Sequence, residues 1–299
     1  MERKEGPSLS GKVALVTGAS KGIGRAIAQR FASAGATVVV AARSLGSPLS
    51  TRPTGDAGTL HETVALIESA GGHAIPICVD LADRQARKAL CDQAAALAGG
   101  LDILINNAGT TTFSASETLD EALFDLTVDQ YLRTPFFLAQ SALPHMMKRG
   151  RGWVVNVGSV AAMRPLDFRN RVTGDVVYAA CKAALARMTQ GLAVEYLAHD
   201  VAVNLVAPST AIRTPGAAAL IPDDFPAEPV EYLAEVALAL AHLPASQLTG
   251  QLAYSMHFPL EQGLKVRTLD NSGDMPEPSL PKASHPDVGF FSRPLNAGS

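Results

Sequence analysis

Short runs of apolar residues alternate with longer stretches of helical periodicity from Lys12 to about Tyr254. The apolar runs are continuous, which is typical of parallel strands that helices cover on both faces of a sheet. Strands that alternate with helices in this way indicate successive βαβ units. The predicted strands cover residues 13–17, 37–42, 74–79, 103–106, 153–157, 202–206 and 251–254. The predicted helices cover residues 24–34, 60–70, 83–98, 121–148 and 178–198.

This pattern predicts one doubly wound α/β domain, with a seven-stranded parallel sheet and helices on both faces. We expect the domain at residues 8–260 and a proline-rich C-terminal extension at residues 261–299. The prolines of the extension favour an extended arm or a disordered segment. Phe290 and Phe291 indicate docking on the domain or on a neighbouring subunit, and a mobile tail is the alternative.

Two predicted connections, at residues 44–58 and 161–177, are longer than the usual length of about two to six residues. Both follow the C-terminal end of a strand, which is the side where open parallel sheets bind ligands. We therefore expect both connections to border a binding site.

Composition and charge narrow the choice of partners. A chain of 299 residues can bury a large core, and its formal charge of −3 does not favour nucleic acid or an anionic membrane. Neither a spanning segment of about 18 apolar residues nor the pattern of a signal peptide is present. The three cysteines lack metal-ligand spacing, so we expect free thiols, no metal site and a cytoplasmic location.

The first predicted strand runs directly into a glycine-rich turn, after which a helix begins. Backbone N–H groups and the helix dipole at such a turn can bind a pyrophosphate, although turn formation alone also explains glycines there. The position in a parallel sheet favours binding and predicts a Rossmann-type dinucleotide site. The expected contacts of this turn are Gly18, Ser20, Lys21, Gly22, Ile23 and Gly24.

The end of the second predicted strand indicates which dinucleotide is bound. An acidic residue there would accept a hydrogen bond from the ribose 2′-hydroxyl of NAD. Here the strand ends at Ala42 and is followed by Arg43, which can pair with a 2′-phosphate, and Lys21 can supply a second cation. A solvated arginine is the alternative. The sequence therefore predicts NADP, with NAD as the second choice.

Tyr178 and Lys182 lie one turn apart on a predicted helix and share one face. A phenol, whose pKa is about 10 in water, is a poor base at neutral pH, and an adjacent ammonium group favours its ionised form. Ser159 follows the fifth predicted strand, where its hydroxyl can hydrogen-bond a substrate oxygen. Surface helix residues are the usual explanation of such a pair. The preceding nucleotide turn and strand-end serine favour a redox site.

From Ser10 to about Phe258 the chain resembles the short-chain dehydrogenase/reductase family. The matching segments are the glycine turn at residues 17–24, Val79-Asp80-Leu81, Asn106-Asn107-Ala108-Gly109, Asn156-Val157-Gly158-Ser159, the Tyr178 and Lys182 pair, and Ala207-Pro208. The resemblance implies that Ser159 orients a substrate carbonyl and Tyr178 transfers its proton. It also implies that Lys182 lowers the pKa of Tyr178 and binds the nicotinamide ribose.

The resemblance further implies a homodimer or homotetramer and additional contacts with the cofactor. Tyr178 and Lys182 belong to these contacts. The others are Asp80 and Leu81 at the adenine, Asn107, Ala108 and Gly109 beside the cofactor, and Pro208, Ile212 and Thr214 near the nicotinamide.

Three positions depart from the family pattern. Tyr131 aligns with an asparagine that usually completes a catalytic tetrad through a water molecule and its main-chain carbonyl. Pro208-Ser209 replaces the usual Pro-Gly, and the following segment is one residue longer. An insertion at residues 164–177 lengthens the connection between Ser159 and Tyr178. We expect the substrate pocket to be walled by Met163, Leu166, Phe168 and Arg169.

The leading hypothesis is reversible oxidation of a secondary alcohol to a ketone, with NADP(H) and a bulky hydrophobic substrate such as a hydroxysteroid or terpenoid alcohol. An acyl-thioester ketone reductase of lipid metabolism is an alternative. Its substrate would call for basic residues at the entrance, such as Arg164, Arg169 and Arg171. A nucleotide-binding regulator without turnover is a third hypothesis, motivated by Tyr131 and Ser209.

Overall fold

Seven strands form the centre of the molecule. A computed structural model describes residues 7–46, 58–110, 112–164, 174–218, 221, 223–280, 285 and 288. Within these residues the strands are β1 (Val13–Thr17), β2 (Thr37–Ala42), β3 (His73–Cys78), β4 (Ile103–Asn106), β5 (Gly152–Val157), β6 (Val201–Ala207) and β7 (Leu252–Tyr254). Each observed strand lies within one or two residues of its predicted position.

The strands form one parallel sheet in the order β3-β2-β1-β4-β5-β6-β7. This confirms the predicted doubly wound fold. The chain moves outward in one direction from β1 and in the other direction from β4. A crevice therefore lies outside the carboxyl ends of these two neighbouring strands, where such sheets bind ligands.

Helices cover both faces of the sheet, as predicted. Phe31 and Leu233 belong to the core on one face, whereas Leu90 and Leu138 belong to the core on the other. The helices are α1 (Gly22–Ser33), α2 (Leu60–Ser69), α3 (Arg84–Ala98), α4 (Glu121–Val128), α5 (Thr134–Lys148), α6 (Val176–Glu195), α7 (Val230–Ala239) and α8 (His257–Gln262). Helices α7 and α8 were not predicted from the sequence.

The helix predicted at residues 121–148 is not continuous. A π-helical turn, Asp129–Arg133, separates α4 from α5, and the N–H of Thr134 donates to the carbonyl oxygen of Asp129 in the π-helical spacing. Pro135 explains the interruption. It has no N–H to donate to the carbonyl of Tyr131 four residues earlier, so the α-helical ladder cannot continue there.

The C-terminal extension contacts the domain at several described residues. Helix α8 runs across the predicted boundary at residue 260. Beyond it, the Tyr232 hydroxyl donates to the carbonyl oxygen of Pro276 at 3.2 Å. Further on, His285 Nε2 lies 2.9 Å from the Arg164 carbonyl oxygen, and Val288 is fully buried in a cluster with Leu185. Phe290 and Phe291 lie outside the described residues.

Candidate active site

The glycine turn between β1 and α1 is closely packed against the end of β4. Gly18 has a φ of +66°, and a Cβ there would lie 2.8 Å from the Ala108 Cα atom. A Cβ on Gly24 would collide with the Gly18 carbonyl oxygen and lie 2.5 Å from Asn107 Nδ2. Side chains at these two positions would therefore push the turn out of place.

Asn107 and Ala108 fasten this turn to the neighbouring strand. The backbone N–H groups of both residues donate to Thr17 Oγ1, at 3.1 and 3.2 Å. The Asn107 side chain donates to the Thr17 carbonyl oxygen at 2.9 Å. The structure thus brings the predicted cofactor segments at residues 17–24 and 107–109 together in the crevice between β1 and β4.

The electrostatics of the turn suit an anion. Helix α1 has no acidic residue in its first turn, and its N-cap residue, Lys21, makes no capping hydrogen bond with its side chain. Arg25 lies in the same first turn and pairs with Glu62 at 2.7 Å. The first N–H groups of a helix carry a partial positive charge. These residues therefore fit the pyrophosphate of a dinucleotide.

The loop after β6 reaches the same turn. A Cβ on Gly22 would lie 3.1 Å from Thr214 Cβ, so Thr214 lies directly against the glycine turn. The side chain of Ile212 is buried in the core, and Pro208 is half-buried at the end of β6. Pro208 and Thr214 thus border the crevice, whereas the Ile212 side chain points away from solvent into the core.

The residues predicted at the adenosine lie at the carboxyl ends of β2 and β3. Arg43 is exposed immediately after β2, and its carbonyl oxygen accepts from Cys78 Sγ at 3.3 Å. Asp80 is exposed after β3, and its Oδ1 accepts from the Ala82 N–H at 3.0 Å. The carbonyl oxygen of Leu81 accepts from Arg87 at 3.1 Å. All of these strand ends lie at the ligand-binding edge of the sheet.

The three predicted catalytic residues meet where β5 ends against α6. Lys182 is buried, and its Nζ donates to the Val157 carbonyl oxygen at 2.7 Å. Ser159, two residues after Val157, accepts from the Ala161 N–H at 3.1 Å and starts a short 3-10 turn that packs on α6. Tyr178 is half-buried, one turn before Lys182 on α6. The structure thus places these three residues near one another at the carboxyl end of β5.

Burial lowers the pKa of Lys182 to about 7, and the neighbouring Cys181 partly opposes this shift. The cause is the loss of water around the ammonium group, which penalises its charged form. The Nζ atom lies 5.8 Å from the centroid of the Tyr178 ring. An ammonium group at this position favours the ionised form of the nearby phenol.

Tyr178 packs against two aromatic rings, and neither contact was predicted from the sequence. Tyr131 meets it edge to face, with ring centroids 5.0 Å apart, and Phe113 does so from another side at 5.8 Å. The Ser114 N–H next to Phe113 donates to the Gly174 carbonyl oxygen at 3.1 Å. No spacing rule singled out Phe113, because its contact with Tyr178 depends on how the loop after β4 packs.

Ser209 connects the end of β6 to a buried polar cluster that was also missed. Its N–H donates to Glu228 Oε2 at 3.2 Å, and its hydroxyl lies 2.9 Å from His257 Nδ1. Ser255 donates to the other oxygen of Glu228, and Thr210 N–H donates to Oε2 at 3.2 Å. Burial raises the pKa of Glu228 to about 7, against the lowering effect of these hydrogen bonds.

The predicted substrate wall lies only partly within the described residues. Leu166, Phe168, Arg169 and Arg171 lie outside the described residues. Met163 is partly buried and packs against the cluster that contains Val288. Among the residues that the structure describes, acidic, histidine and cysteine side chains form no group of three or more suited to a metal ion. In the same part of the chain, none of the helices has the length and apolar character needed to cross a membrane.

Comparison with known proteins assigns the family. The profile described as short chain dehydrogenase matches residues 12–224 of this chain. The chain belongs to the short-chain dehydrogenase/reductase family. The match confirms the resemblance drawn from the motifs, and the family is one of oxidoreductases that use nicotinamide cofactors.

Relatives of this short-chain dehydrogenase/reductase carry names that imply different substrates. Hydroxysteroid dehydrogenase-like protein 2 of Danio rerio is 31% identical over 259 residues, which are 86% of this chain and 60% of that protein. Glucose 1-dehydrogenase 2 of Bacillus subtilis is 33% identical over 207 residues, which are 68% of this chain and 72% of that protein. The chain thus spans less than two thirds of the length of the first of these relatives.

A solved structure supports the same assignment. The crystal structure of a 3-oxoacyl (acyl-carrier-protein) reductase from Agrobacterium tumefaciens C58 with NADP bound has a TM-score of 0.70 and 30% sequence identity, and the match covers 83% of this chain and 93% of that chain. Both chains share the fold and the family, and NADP is stated only for the Agrobacterium protein.

Proposed function

We propose that this chain is an NADP(H)-dependent oxidoreductase that interconverts a secondary alcohol and a ketone, with Tyr178 as the proton-transferring group. The observation that carries the proposal is the juxtaposition of Tyr178 with the buried ammonium group of Lys182 at the crevice. A buried cation beside a phenol shifts the phenol towards ionisation. This arrangement serves proton transfer to and from an oxygen atom.

Each of the three polar residues has a distinct task in this proposal. Ser159 donates a hydrogen bond to the substrate oxygen and orients it towards Tyr178. Tyr178 gives a proton to that oxygen in reduction and takes it back in oxidation. Lys182 stays on α6, held by the carbonyl oxygen of Val157, and stabilises the phenolate of Tyr178.

The glycine turn and the loop after β6 hold the dinucleotide in this proposal. When bound, the nicotinamide supplies the hydride for reduction or accepts it in oxidation. Arg43 and Lys21 provide positive charge for a 2′-phosphate, which favours NADP over NAD. The NADP-bound Agrobacterium relative is consistent with this preference.

A bulky hydrophobic substrate is the class that the site favours. Phe113 and Met163 supply apolar surface near Tyr178 and at the start of the insertion. The hydroxysteroid dehydrogenase-like relative supports a substrate of this kind. A 3-oxoacyl thioester is the second candidate, because the Agrobacterium relative carries the name of an acyl-carrier-protein reductase.

The test is a panel of alcohols, ketones and 3-oxoacyl thioesters, followed by absorbance of the reduced nicotinamide with NADP(H) and with NAD(H). We expect turnover of hydrophobic secondary alcohols and ketones, and its loss in Tyr178→Phe with NADP binding retained. Preferred turnover of thioesters would favour the second candidate. Tight NADP binding without turnover of any substrate would instead indicate a nucleotide-binding regulator.

Self-association is also part of the proposal. Helices α4 and α5 expose the side chains of Phe124, Leu126, Phe136 and Phe137. Exposed apolar side chains on a folded domain suit an interface between copies of the chain. We expect a homodimer or homotetramer by light scattering, and a monomer would contradict this part. The free thiols of the three cysteines suit a reducing compartment such as the cytoplasm.

A further inference from the structure

The π-helical turn between α4 and α5 fixes the direction in which Tyr131 points. Asp129, at the start of the turn, forms an ion pair with Arg87 of α3 at 3.1 Å. Gln130 Oε1 accepts from the Thr110 N–H at 2.8 Å, which ties the turn to the loop after β4. Both attachments are made by the two residues that precede Tyr131 in the turn, and Tyr131 itself is only 6% exposed. The ring is therefore held in one place.

Lys182 lies over the ring of Tyr131. Its Nζ atom is 4.4 Å from the Tyr131 ring centroid, closer than to the ring of Tyr178 at 5.8 Å. A cation within about 6 Å of an aromatic ring is attracted by the negative face of its π system. Gly109 makes room for this contact, since a Cβ there would lie 2.5 Å from Tyr131 Cε1.

The ammonium group of Lys182 needs such a partner. The residue is 5% exposed, and among the residues that the structure describes no carboxylate lies within ion-pair distance of it. A buried charge without a counter-ion is unfavourable unless other groups stabilise it. The Val157 carbonyl oxygen satisfies one donor of the ammonium, and the Tyr131 ring faces the charge from a second direction.

We propose that Tyr131 is a positioning residue that holds the Lys182 ammonium group by a cation–π contact and supports the Tyr178 ring edge to face. The aromatic ring thereby sets the geometry of the proton-transferring pair. The part played by Tyr178 rests on the function proposed above. The contact between Tyr131 and Lys182 is independent of which substrate is turned over.

The proposal predicts different behaviour for Tyr131→Phe and Tyr131→Leu. Phenylalanine keeps an aromatic face of the same size, whereas leucine is apolar but has no π system. The ε-carbons of lysine are labelled with ¹³C, and the cofactor-free protein is titrated by NMR, with Lys182→Arg identifying the signal. We expect Tyr131→Phe to keep the pH midpoint of the Lys182 titration within about 0.3 pH units of the wild-type value. Tyr131→Leu should lower this midpoint by about half a pH unit to one pH unit.

The ring-current shift of the Lys182 side-chain protons provides a second readout, which does not require a variant that lacks the Tyr131 ring. In the wild-type protein and in Tyr131→Phe, the ε-methylene protons of Lys182 should resonate upfield of the other lysines. An ordinary shift in the wild-type protein overturns the proposal even where Tyr131→Leu fails to fold. An unchanged midpoint in a folded Tyr131→Leu protein overturns it as well.

Kinetics separate this inference from the proposed function. On a substrate found in the panel, Tyr131→Phe should keep kcat within about threefold, and Tyr131→Leu should lower kcat by about tenfold with a smaller change in KM. Shifted Lys182 signals without turnover of any substrate would leave the contact intact and refute the proposed activity. Turnover with an unshifted Lys182 signal would support the proposed activity and refute the contact between Tyr131 and Lys182.

Discussion

The ammonium nitrogen of Lys182 donates a hydrogen bond of 2.7 Å to the carbonyl oxygen of Val157, the last residue of β5. The bond ties the middle of α6 to the carboxyl edge of the sheet, next to Ser159. Because the ammonium is buried there, its pKa is lowered to about 7. The charge beside Tyr178 is therefore present below about pH 7 and lost above it.

The first prediction concerns the pH dependence of ketone reduction. We expect kcat/KM of the wild-type enzyme to fall as the pH rises through about 7, because Lys182 then loses its charge. In Lys182→Arg the guanidinium group stays charged, so the variant should be slower but should not show this decrease. A wild-type profile that stays flat between pH 6 and about 9 would contradict the role given to Lys182.

The second prediction concerns the selection of NADP. Arg43→Ala should raise the KM for NADP by about tenfold or more and leave the KM for NAD within about twofold, because a charged hydrogen bond to phosphate is lost. Arg187→Ala, which removes an exposed arginine from α6, is the control and should change neither value. Steady-state kinetics with both cofactors provide the measurement. Equal KM values for NADP in Arg43→Ala and the wild type would reject the assignment.

The third prediction concerns the close contact between the glycine turn and Asn107. A Cβ on Gly24 would lie 2.5 Å from Asn107 Nδ2, so Gly24→Ala should lower the free energy of unfolding by about 1–3 kcal/mol and weaken cofactor binding. Gly191→Ala is the matched control within a helix. A Cβ on Gly191 would have Arg187 Nη1 as its nearest atom, at 3.6 Å. We therefore expect the free energy of unfolding to rise by about 0.5–1 kcal/mol in this variant.

Chemical denaturation and titration with reduced cofactor measure both effects. If Gly24→Ala bound NADP as tightly as the wild type, the close packing of the turn would not matter for binding.

The fourth prediction concerns Glu228 and the stability of the fold. Its pKa is raised to about 7 by burial, so the folded protein binds a proton that the unfolded chain releases between about pH 4.5 and 7. Glu228 therefore makes the fold less stable as the pH rises through this window. From pH 5 to pH 8 the free energy of unfolding of the wild type should fall by about 2–3 kcal/mol more than that of Glu228→Gln.

Urea denaturation at both pH values tests this difference. Asp224→Asn removes an exposed carboxylate from the same segment and should follow the wild type. Parallel pH dependence of the wild type and Glu228→Gln would show that the Glu228 carboxyl group titrates as it does in the unfolded chain.

The strands, most helices and the glycine turn could be predicted because each follows from a local pattern. A continuous apolar run between helical segments specifies a buried parallel strand within the run itself. The glycines of the turn at residues 17–24 and the spacing of Tyr178 and Lys182 are likewise properties of adjacent residues. Their order along the chain was enough to indicate the family.

The π-helical turn at Tyr131 could be predicted only in part. Pro135 was a local signal that the predicted helix is interrupted. The contact of Asp129 in this turn with Arg87, which is 42 residues away in sequence, follows from no local pattern. Phe113 and Glu228 also reach their partners through loops, whose packing no periodicity describes.

By itself, the sequence determined the position of each strand, the glycine turn and the spacing of Tyr178 and Lys182, since each of these is a pattern of residues close in the chain. Only the tertiary structure decided the partners of the buried charges, namely the Tyr131 ring over Lys182 and the hydroxyl and N–H groups around Glu228. The reason is physical. The free energy of a buried charge depends on which distant groups surround it, and folding alone brings those groups together.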